Sequence, residues 1–148
     1  MTEFKKIFLD TAPVIYMLDK NIAKSFKEQT QQIFLSLNEQ HYEPDFIMST
    51  ITCEEYLVMP YRTNNQKAVE SLWHFVSDSK ITVYNIDMEI ALKAAQIRAK
   101  YKFFKTMDAV QLATACVHGC DLFLTNDKQL TQFDEISCAT IAEWQFED

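Results

Sequence analysis

The segment from position 106 to position 127 says most about the architecture of this chain, and it reads TMDAVQLATACVHGCDLFLTND. Its first half is apolar on almost every side, which is typical of a helix that packs at the centre of a protein. Thr106 is placed to cap that helix at its start, and Gly119 is placed to end it. The apolar run at 121–125 then predicts a buried strand. A central helix that turns directly into a strand is a unit of an α/β protein.

Strands and helices alternate in both directions from this segment. Predicted strands lie at 6–9, 45–49, 81–86, 121–125 and 138–141. Predicted helices lie at about 12–19, 22–41, 52–59, 65–78, 88–102 and 107–118, and Pro60 is expected to end the third of them. Because this alternation requires right-handed crossovers, it produces a parallel sheet with helices on both faces. The predicted fold class is α/β: one domain, residues 1–148, forming a three-layer α/β/α sandwich with a central, mostly parallel sheet of about five strands.

The composition excludes several classes of protein. Gly119 is the only glycine, so a Gly-rich loop that cradles nucleotide phosphates is excluded. The charged N-terminus precedes only a short apolar run, unlike a secretory signal, and no stretch approaches the roughly 18 apolar residues of a membrane span. We therefore expect a cytoplasmic protein with no membrane partner. The four cysteines form no Cys-x-x-Cys pair, which favours buried thiols over a zinc site.

Acidic residues from distant parts of the chain are predicted to meet at one edge of the sheet. They follow the first, second and fourth strands or open the central helix: Asp10, Glu54, Glu55, Asp108 and Asp127. In open parallel sheets, functional groups gather at the carboxyl ends of the strands. Because carboxylates repel one another and are costly to bury, a fold that gathers them usually neutralises them with a cation. Oxygen ligands of this kind suit Mg²⁺ or Mn²⁺, and the chemistry that follows is phosphodiester hydrolysis.

Each acid taken alone has a plainer interpretation. Asp10 and Asp108 are also suited to cap helices. Glu54 and Glu55 are also typical of a solvated helix surface, and Asp127 is typical of a turn. The catalytic interpretation depends on all of them meeting at one edge.

Four motifs resemble those of PIN domains. Leu9-Asp10-Thr11 before a helix resembles the first motif, and the strand ending in Ser49 before a Glu-bearing helix resembles the second. The family spacing favours Glu55 in that helix, with Glu54 as the other candidate. Residues 106–115, in which an Asp opens an Ala-rich helix, resemble the third motif, and residues 122–127, in which a strand runs into Thr-x-Asp, resemble the fourth.

This resemblance extends over residues 9–127 and implies a Mg²⁺- or Mn²⁺-dependent endoribonuclease. The implied catalytic and metal-binding residues are Asp10, Glu55, Asp108 and Asp127. The implied supporting residues are Thr11, Glu54, Thr125 and Asn126. In size the chain also resembles the compact, single-domain members of the family, which are VapC-like toxins of toxin–antitoxin pairs. This resemblance implies a homodimer that a small antitoxin protein holds inactive.

The net charge of −7 is an objection to an RNA partner, because phosphate binding usually requires a positive surface. One segment answers it in part: residues 93–107 contain no acid and lead directly into Asp108. Its basic residues are candidate RNA contacts: Lys93, Arg98, Lys100, Lys102 and Lys105. Interleaved aromatic residues are suited to stack on bases. An ordinary solvated helix face remains the alternative.

Other functions remain open at this point. One is a catalytically inactive PIN-like module that binds RNA or protein, although the presence of all four acids argues against it. Another is an RNA-processing nuclease that is not a toxin. A receiver or aspartate-nucleophile phosphatase is disfavoured, because Asp10 has no acidic neighbour and Ala12 stands where an Asp-x-Asp motif needs its second acid.

Overall fold

A computed structural model of the chain describes residues 3–147 as one five-stranded sheet with helices on both faces. The strands are β1 (Lys6–Leu9), β2 (Asp45–Ser49), β3 (Thr82–Tyr84), β4 (Leu122–Thr125) and β5 (Ser137–Thr140). The helices are α1 (Thr11–Leu18), α2 (Lys24–Asn38), α3 (Thr50–Arg62), α4 (Gln66–Asp78), α5 (Met88–Lys100) and α6 (Thr106–Val117). A short 3₁₀ helix, Lys128–Gln132, separates β4 from β5.

The strands follow the order β3-β2-β1-β4-β5, and every neighbouring pair is parallel. The predicted fold class, with its central parallel sheet of about five strands, is confirmed. The order differs from that of the receiver fold, which runs 2-1-3-4-5. The chain reverses its direction of winding between β1 and β4, which makes this junction the switch point where ligands bind in sheets of this type.

Both faces of the sheet are buried, which explains why the central strands are continuous apolar runs. Ile7 and Leu9 of β1 belong to the core shared with α1, α2, α3 and α4. Phe8 points to the other face and stacks on Phe123 of β4, with ring centroids 5.1 Å apart, in the core shared with α5 and α6. No helix within residues 3–147 is long and apolar enough to cross a membrane.

Two predictions about helix ends are wrong. Helix α3 does not stop at Pro60 but continues to Arg62. Proline removes one backbone donor, and only two helical residues follow it, so the last turn still closes when the Thr63 N–H donates to the Met59 carbonyl at 3.0 Å. Thr106 is not the N-cap of α6, because Lys105 occupies that position and Thr106 is already helical.

The C-terminal end of α6 is built around Gly119, which follows the C-cap residue His118. Gly119 adopts a φ of 70°, a left-handed conformation that glycine reaches without steric cost. Its N–H donates to Cys116 O at 3.1 Å, and the Cys120 N–H donates to Ala115 O at 2.9 Å. This pair of bonds is the Schellman ending, and it directs the chain from α6 straight into β4.

Candidate active site

The carboxyl ends of β1 and β4 bring Asp10 and Asp127 to the switch point. The Asp10 N–H donates to Leu124 O at 3.0 Å, which continues the ladder between the two strands. The buried hydroxyl of Thr125 donates to Asp10 Oδ2 at 2.8 Å and accepts from the Asp127 N–H at 3.1 Å. Thr125 therefore connects the two acids. The Asp127 carboxylate itself accepts from the Gln129 N–H at 3.0 Å at the start of the 3₁₀ helix.

Helix α3 contributes Glu55 to the same edge. The Thr11 hydroxyl, directly after Asp10, donates to Glu55 Oε1 at 2.7 Å. Glu54 is exposed, and within residues 3–147 its carboxylate has neither a hydrogen bond nor an ion pair. Of the two neighbouring glutamates, Glu55 is the one that the structure brings next to Asp10. The family spacing in the sequence already favours Glu55, and the structure adds the contact with Thr11, 44 residues away.

Asp108 lies in the first turn of α6, and its charge is coupled to those of the other acids. Burial raises the pKa of Asp10 to about 6, opposed by hydrogen bonds from Thr125 and the Thr11 backbone and reinforced by the negative charges of Asp108 and Glu55. Burial also raises the pKa of Asp108, and Asp127 and Glu55 add to this shift. The ammonium group of Lys105 acts in the opposite direction on Asp108.

None of these four acids forms an ion pair in the part of the chain that the structure describes. Nor do any three His, Cys, Asp or Glu side chains between residues 3 and 147 lie close enough together to hold one metal ion. Carboxylates that face each other across a few ångströms destabilise one another. Glu55 and Asp127 are exposed, although each carboxylate accepts a hydrogen bond, whereas Asp10 is partly buried.

A buried hydrogen-bond network behind the acids was not predicted from the sequence. Gln111 of α6 accepts a short hydrogen bond from the Ser49 hydroxyl at the end of β2 and donates to Thr52 Oγ1 in α3 at 2.9 Å. Ser49 also accepts from the Ile51 N–H at 3.1 Å and thereby caps α3. The signal for this network was a lone amide in an otherwise apolar stretch of α6, but its partners could be identified only in three dimensions.

Asn126, expected to support the site, is engaged by structural partners at both ends of its amide. Its Nδ2 donates to the Tyr16 hydroxyl of α1 at 2.8 Å. Its Oδ1 accepts from the Ala142 N–H at 3.1 Å. Asn126 therefore fixes the segment after β5 and the helix after β1 to the loop that carries Asp127.

The basic residues expected to contact RNA separate into two groups. Lys93 pairs with Glu135 at 2.7 Å, and Lys100 pairs with Asp134 at 3.7 Å. The remaining three are exposed and have no acidic partner within the described residues: Arg98, Lys102 and Lys105. Two of the interleaved aromatic residues, Tyr101 and Phe104, are buried in the core, whereas Phe103 is 46% exposed.

The sheet order and the acidic edge define an α/β protein with a carboxylate site at its switch point. The family description PIN domain matches residues 7–136. The chain belongs to the PIN domain family, whose members are in general nucleases. The resemblance inferred from the four motifs is therefore confirmed.

Solved structures of toxin–antitoxin proteins have the same fold. A toxin–antitoxin complex from Klebsiella pneumoniae matches at a TM-score of 0.64 and 20% identity, over 91% of this chain and 97% of that chain. VapBC2 from Rickettsia felis, bound to a DNA fragment from its promoter, matches at a TM-score of 0.73 and 11% identity, over 91% of this chain and 98% of that chain. VapC20 from Mycobacterium tuberculosis, a toxin that cleaves the Sarcin-Ricin loop, matches at a TM-score of 0.63 and 15% identity, over 88% of this chain and 98% of that chain. No curated protein sequence matches the chain.

Proposed function

We propose that this protein is a cytoplasmic, Mg²⁺- or Mn²⁺-dependent endoribonuclease whose single domain, residues 1–148, hydrolyses RNA phosphodiester bonds. The proposed catalytic residues are Asp10, Glu55, Asp108 and Asp127. One observation carries the proposal: burial, reinforced by neighbouring acids at the switch point, raises the pKa of Asp10 to about 6 and also raises that of Asp108, and no basic side chain within residues 3–147 pairs with any of the four acids.

The donor set fits a hard divalent cation. It consists of carboxylate oxygens and neighbouring hydroxyls, which are the ligands that Mg²⁺ and Mn²⁺ prefer. Burial, and to a smaller extent the charges of Asp108 and Glu55, raise the pKa of Asp10, and a cation at this edge would stabilise its charged form. When bound, such an ion supplies charge stabilisation to a scissile phosphate and lowers the pKa of a coordinated water.

The four proposed acids differ in their support. Asp10 is held by Thr125 and by its backbone hydrogen bond to β4, and Asp108 lies in the first turn of α6. Glu55 and Asp127 are exposed, and their carboxylates accept from the Thr11 hydroxyl and the Gln129 N–H, so each keeps an oxygen lone pair that could face an ion. Thr11 keeps Glu55 near Asp10, whereas Glu54 faces solvent and is left outside the site.

The substrate is proposed to approach along the segment between α5 and α6. Lys102 and Lys105 are exposed there, and Lys105 lies close enough to Asp108 to lower its pKa. The half-exposed ring of Phe103 lies between them and offers a surface for base stacking. Lys93 and Lys100 are paired with acids and are expected to contribute less.

We further propose that the protein is the toxin of a type II toxin–antitoxin pair, that it forms a homodimer, and that a small antitoxin protein binds it. The support is the fold that it shares with toxin–antitoxin complexes over nearly the whole of both chains. Apolar side chains on the surfaces of α3 and α5 are exposed, as expected of interfaces that partners cover. They are Val58, Met59, Tyr61, Met88 and Leu92.

Cleavage of total RNA in Mn²⁺ tests the nuclease proposal, with the Asp108→Asn protein beside the wild type. We expect the wild type to cut and Asp108→Asn to lose activity by at least about a hundredfold, because removal of a preorganised charge in a reaction centre has effects of this size. Glu55→Gln should lose activity in the same way. Glu54→Gln is the matched control, since it removes an equal charge one position away and should keep activity.

Two outcomes would contradict the proposal. If Asp108→Asn and Glu55→Gln both cut RNA at the wild-type rate, the acids are not catalytic. If the wild type does not cut any RNA and Mn²⁺ leaves its melting temperature unchanged, the alternative of an inactive binding module replaces the nuclease, because a ligand specific for the native state must raise that temperature.

A further inference from the structure

We infer that the buried amide of Gln111 is a positioning residue that sets the separation between Asp108 and Glu55, an inference that rests on the proposed function of those acids. Gln111 lies three residues after Asp108 on α6, and Thr52 lies three residues before Glu55 on α3. Residues three apart occupy the same side of a helix. The hydrogen bond from Gln111 to Thr52 therefore joins the two helices about one turn away from the two carboxylates.

This amide is hydrogen-bonded at both ends. Its carbonyl oxygen accepts from the Ser49 hydroxyl, and its Nε2 donates to Thr52 Oγ1. Gln111 is 1% exposed, and Ser49 and Thr52 are fully buried. Loss of either hydroxyl partner would leave a buried polar atom of the amide without a hydrogen bond, which is costly. The network therefore links the end of β2, the first turns of α3 and the first turns of α6 in one arrangement.

Within residues 3–147, no other side-chain hydrogen bond joins α6 to a neighbouring helix or strand. The N-cap residue of α6, Lys105, provides no side-chain hydrogen bond to the helix. Among the side chains of α6, all of which the structure describes, Gln111 alone hydrogen-bonds to another element, since Thr114 donates to the Val110 carbonyl of its own helix. A leucine or methionine at position 111 would avoid the cost of burying an amide, so the amide is best explained by the position that it fixes.

The test measures Mn²⁺ binding directly, as the Mn²⁺ concentration that gives half of the maximal rise in melting temperature. We expect this midpoint to increase about tenfold in Gln111→Met, because residues that orient metal ligands typically change affinity by this factor. Thr52→Val removes the same hydrogen bond from the other side and should raise the midpoint too. The midpoint of the double variant should be little higher than that of Gln111→Met alone, because Thr52→Val breaks a hydrogen bond that Gln111→Met has already removed.

Thr114→Val is the matched control. It removes a buried hydroxyl from the same helix, one turn further along, but the hydrogen bond of that hydroxyl stays within α6. Whatever it does to the melting temperature without metal, its Mn²⁺ midpoint should equal that of the wild type. RNA cleavage by Gln111→Met should recover when the Mn²⁺ concentration is raised, as expected of a defect in metal binding.

The outcomes separate this inference from the proposed function. If the wild type responds to Mn²⁺ and both Gln111→Met and Thr52→Val respond at the wild-type midpoint, Gln111 has only a packing role and the inference is overturned. Should Gln111→Met fail to fold, Thr52→Val decides the question, because it keeps the volume of the side chain. If the wild type itself gives no response, the metal site fails and the inference fails with it.

Discussion

Two aspartates at opposite ends of the same strand pair have carboxylates in very different surroundings. Asp121 lies at the amino end of β4, where its carboxylate accepts from the Lys5 N–H at 2.8 Å and the Lys6 N–H at 2.9 Å. Asp10 lies at the carboxyl end of β1, where a hydroxyl and a backbone group support it but two further acids crowd it. One edge of the sheet uses an acid for stability, and the other edge accumulates acids at a cost in stability. Such a cost is typical of functional sites.

The largest expected effect is the contrast in activity between the two edges. Asp10→Asn should lower the rate of RNA cleavage in Mn²⁺ by at least about a hundredfold. Asp121→Asn should leave that rate within a small factor of the wild type, because its carboxylate only holds the N-terminal strand. In the presence of a chelator, the free energies of unfolding should change in opposite directions.

The stability change follows from the electrostatics of each edge. Asp10→Asn should raise the free energy of unfolding by about 1–2 kcal/mol, because burial and repulsion of a charge are removed. Asp121→Asn should lower it by about 1–2 kcal/mol, because charge-assisted hydrogen bonds are lost. Urea unfolding of the three proteins measures both. A stabilised Asp121→Asn together with a destabilised Asp10→Asn would reverse the account.

The pH dependence of stability sharpens the same contrast. The pKa of Asp10 is raised from 3.8 when unfolded to about 6 when folded. The folded protein therefore binds a proton more tightly, and the stability gained from protonation is complete below the unfolded pKa and is lost as the pH rises through about 6. With a chelator present, the difference in melting temperature between Asp10→Asn and the wild type should shrink as the pH falls from 7.5 to 5.

A pH-independent difference would mean that Asp10 does not titrate in this range. Comparing the variant with the wild type at each pH cancels the titration of every group that the substitution does not disturb. Asp121→Asn is the control, and its difference from the wild type should not shrink in the same way.

The smallest expected effects come from the basic residues. Lys105→Ala should raise the KM for a short single-stranded RNA severalfold at low salt, because Lys105 is exposed beside Asp108. Lys100→Ala removes an equal charge that pairs with Asp134, and its effect should be smaller. Steady-state cleavage of a labelled RNA measures both variants. Equal increases in KM for the two variants would show that pairing with an acid does not determine which lysines bind RNA.

Features that depend on local periodicity could be predicted from the sequence. The alternation of apolar runs and amphipathic helices predicted the five-stranded parallel sheet, which the structure confirms. The prediction that Pro60 ends α3 was wrong because the cost of a proline depends on how much helix follows it, and only two helical residues follow Pro60. The prediction of Thr106 as the N-cap of α6 was wrong because an N-cap is defined by its backbone conformation, and Lys105 has that conformation instead.

Features that depend on contacts between distant residues could not be predicted. The hydrogen bond from the Thr11 hydroxyl to Glu55 could not be read from the sequence, and neither could the ion pairs that Lys93 and Lys100 form with acids after α6. Gln111 is the clearest example, since its partners are 62 and 59 residues away. Sequence motifs identified acids that could meet, whereas the side chains that hold them apart or together became visible only in the fold.

The central claim is that the acids at the carboxyl edge of the sheet bind one class of ligand, a divalent cation. A thermal melt of the wild type and of Asp10→Asn, each titrated with Mn²⁺, tests this most directly. The account predicts that Mn²⁺ raises the melting temperature of the wild type and leaves that of Asp10→Asn nearly unchanged. A wild type that does not respond, or an Asp10→Asn protein that responds at the same concentration, would contradict it.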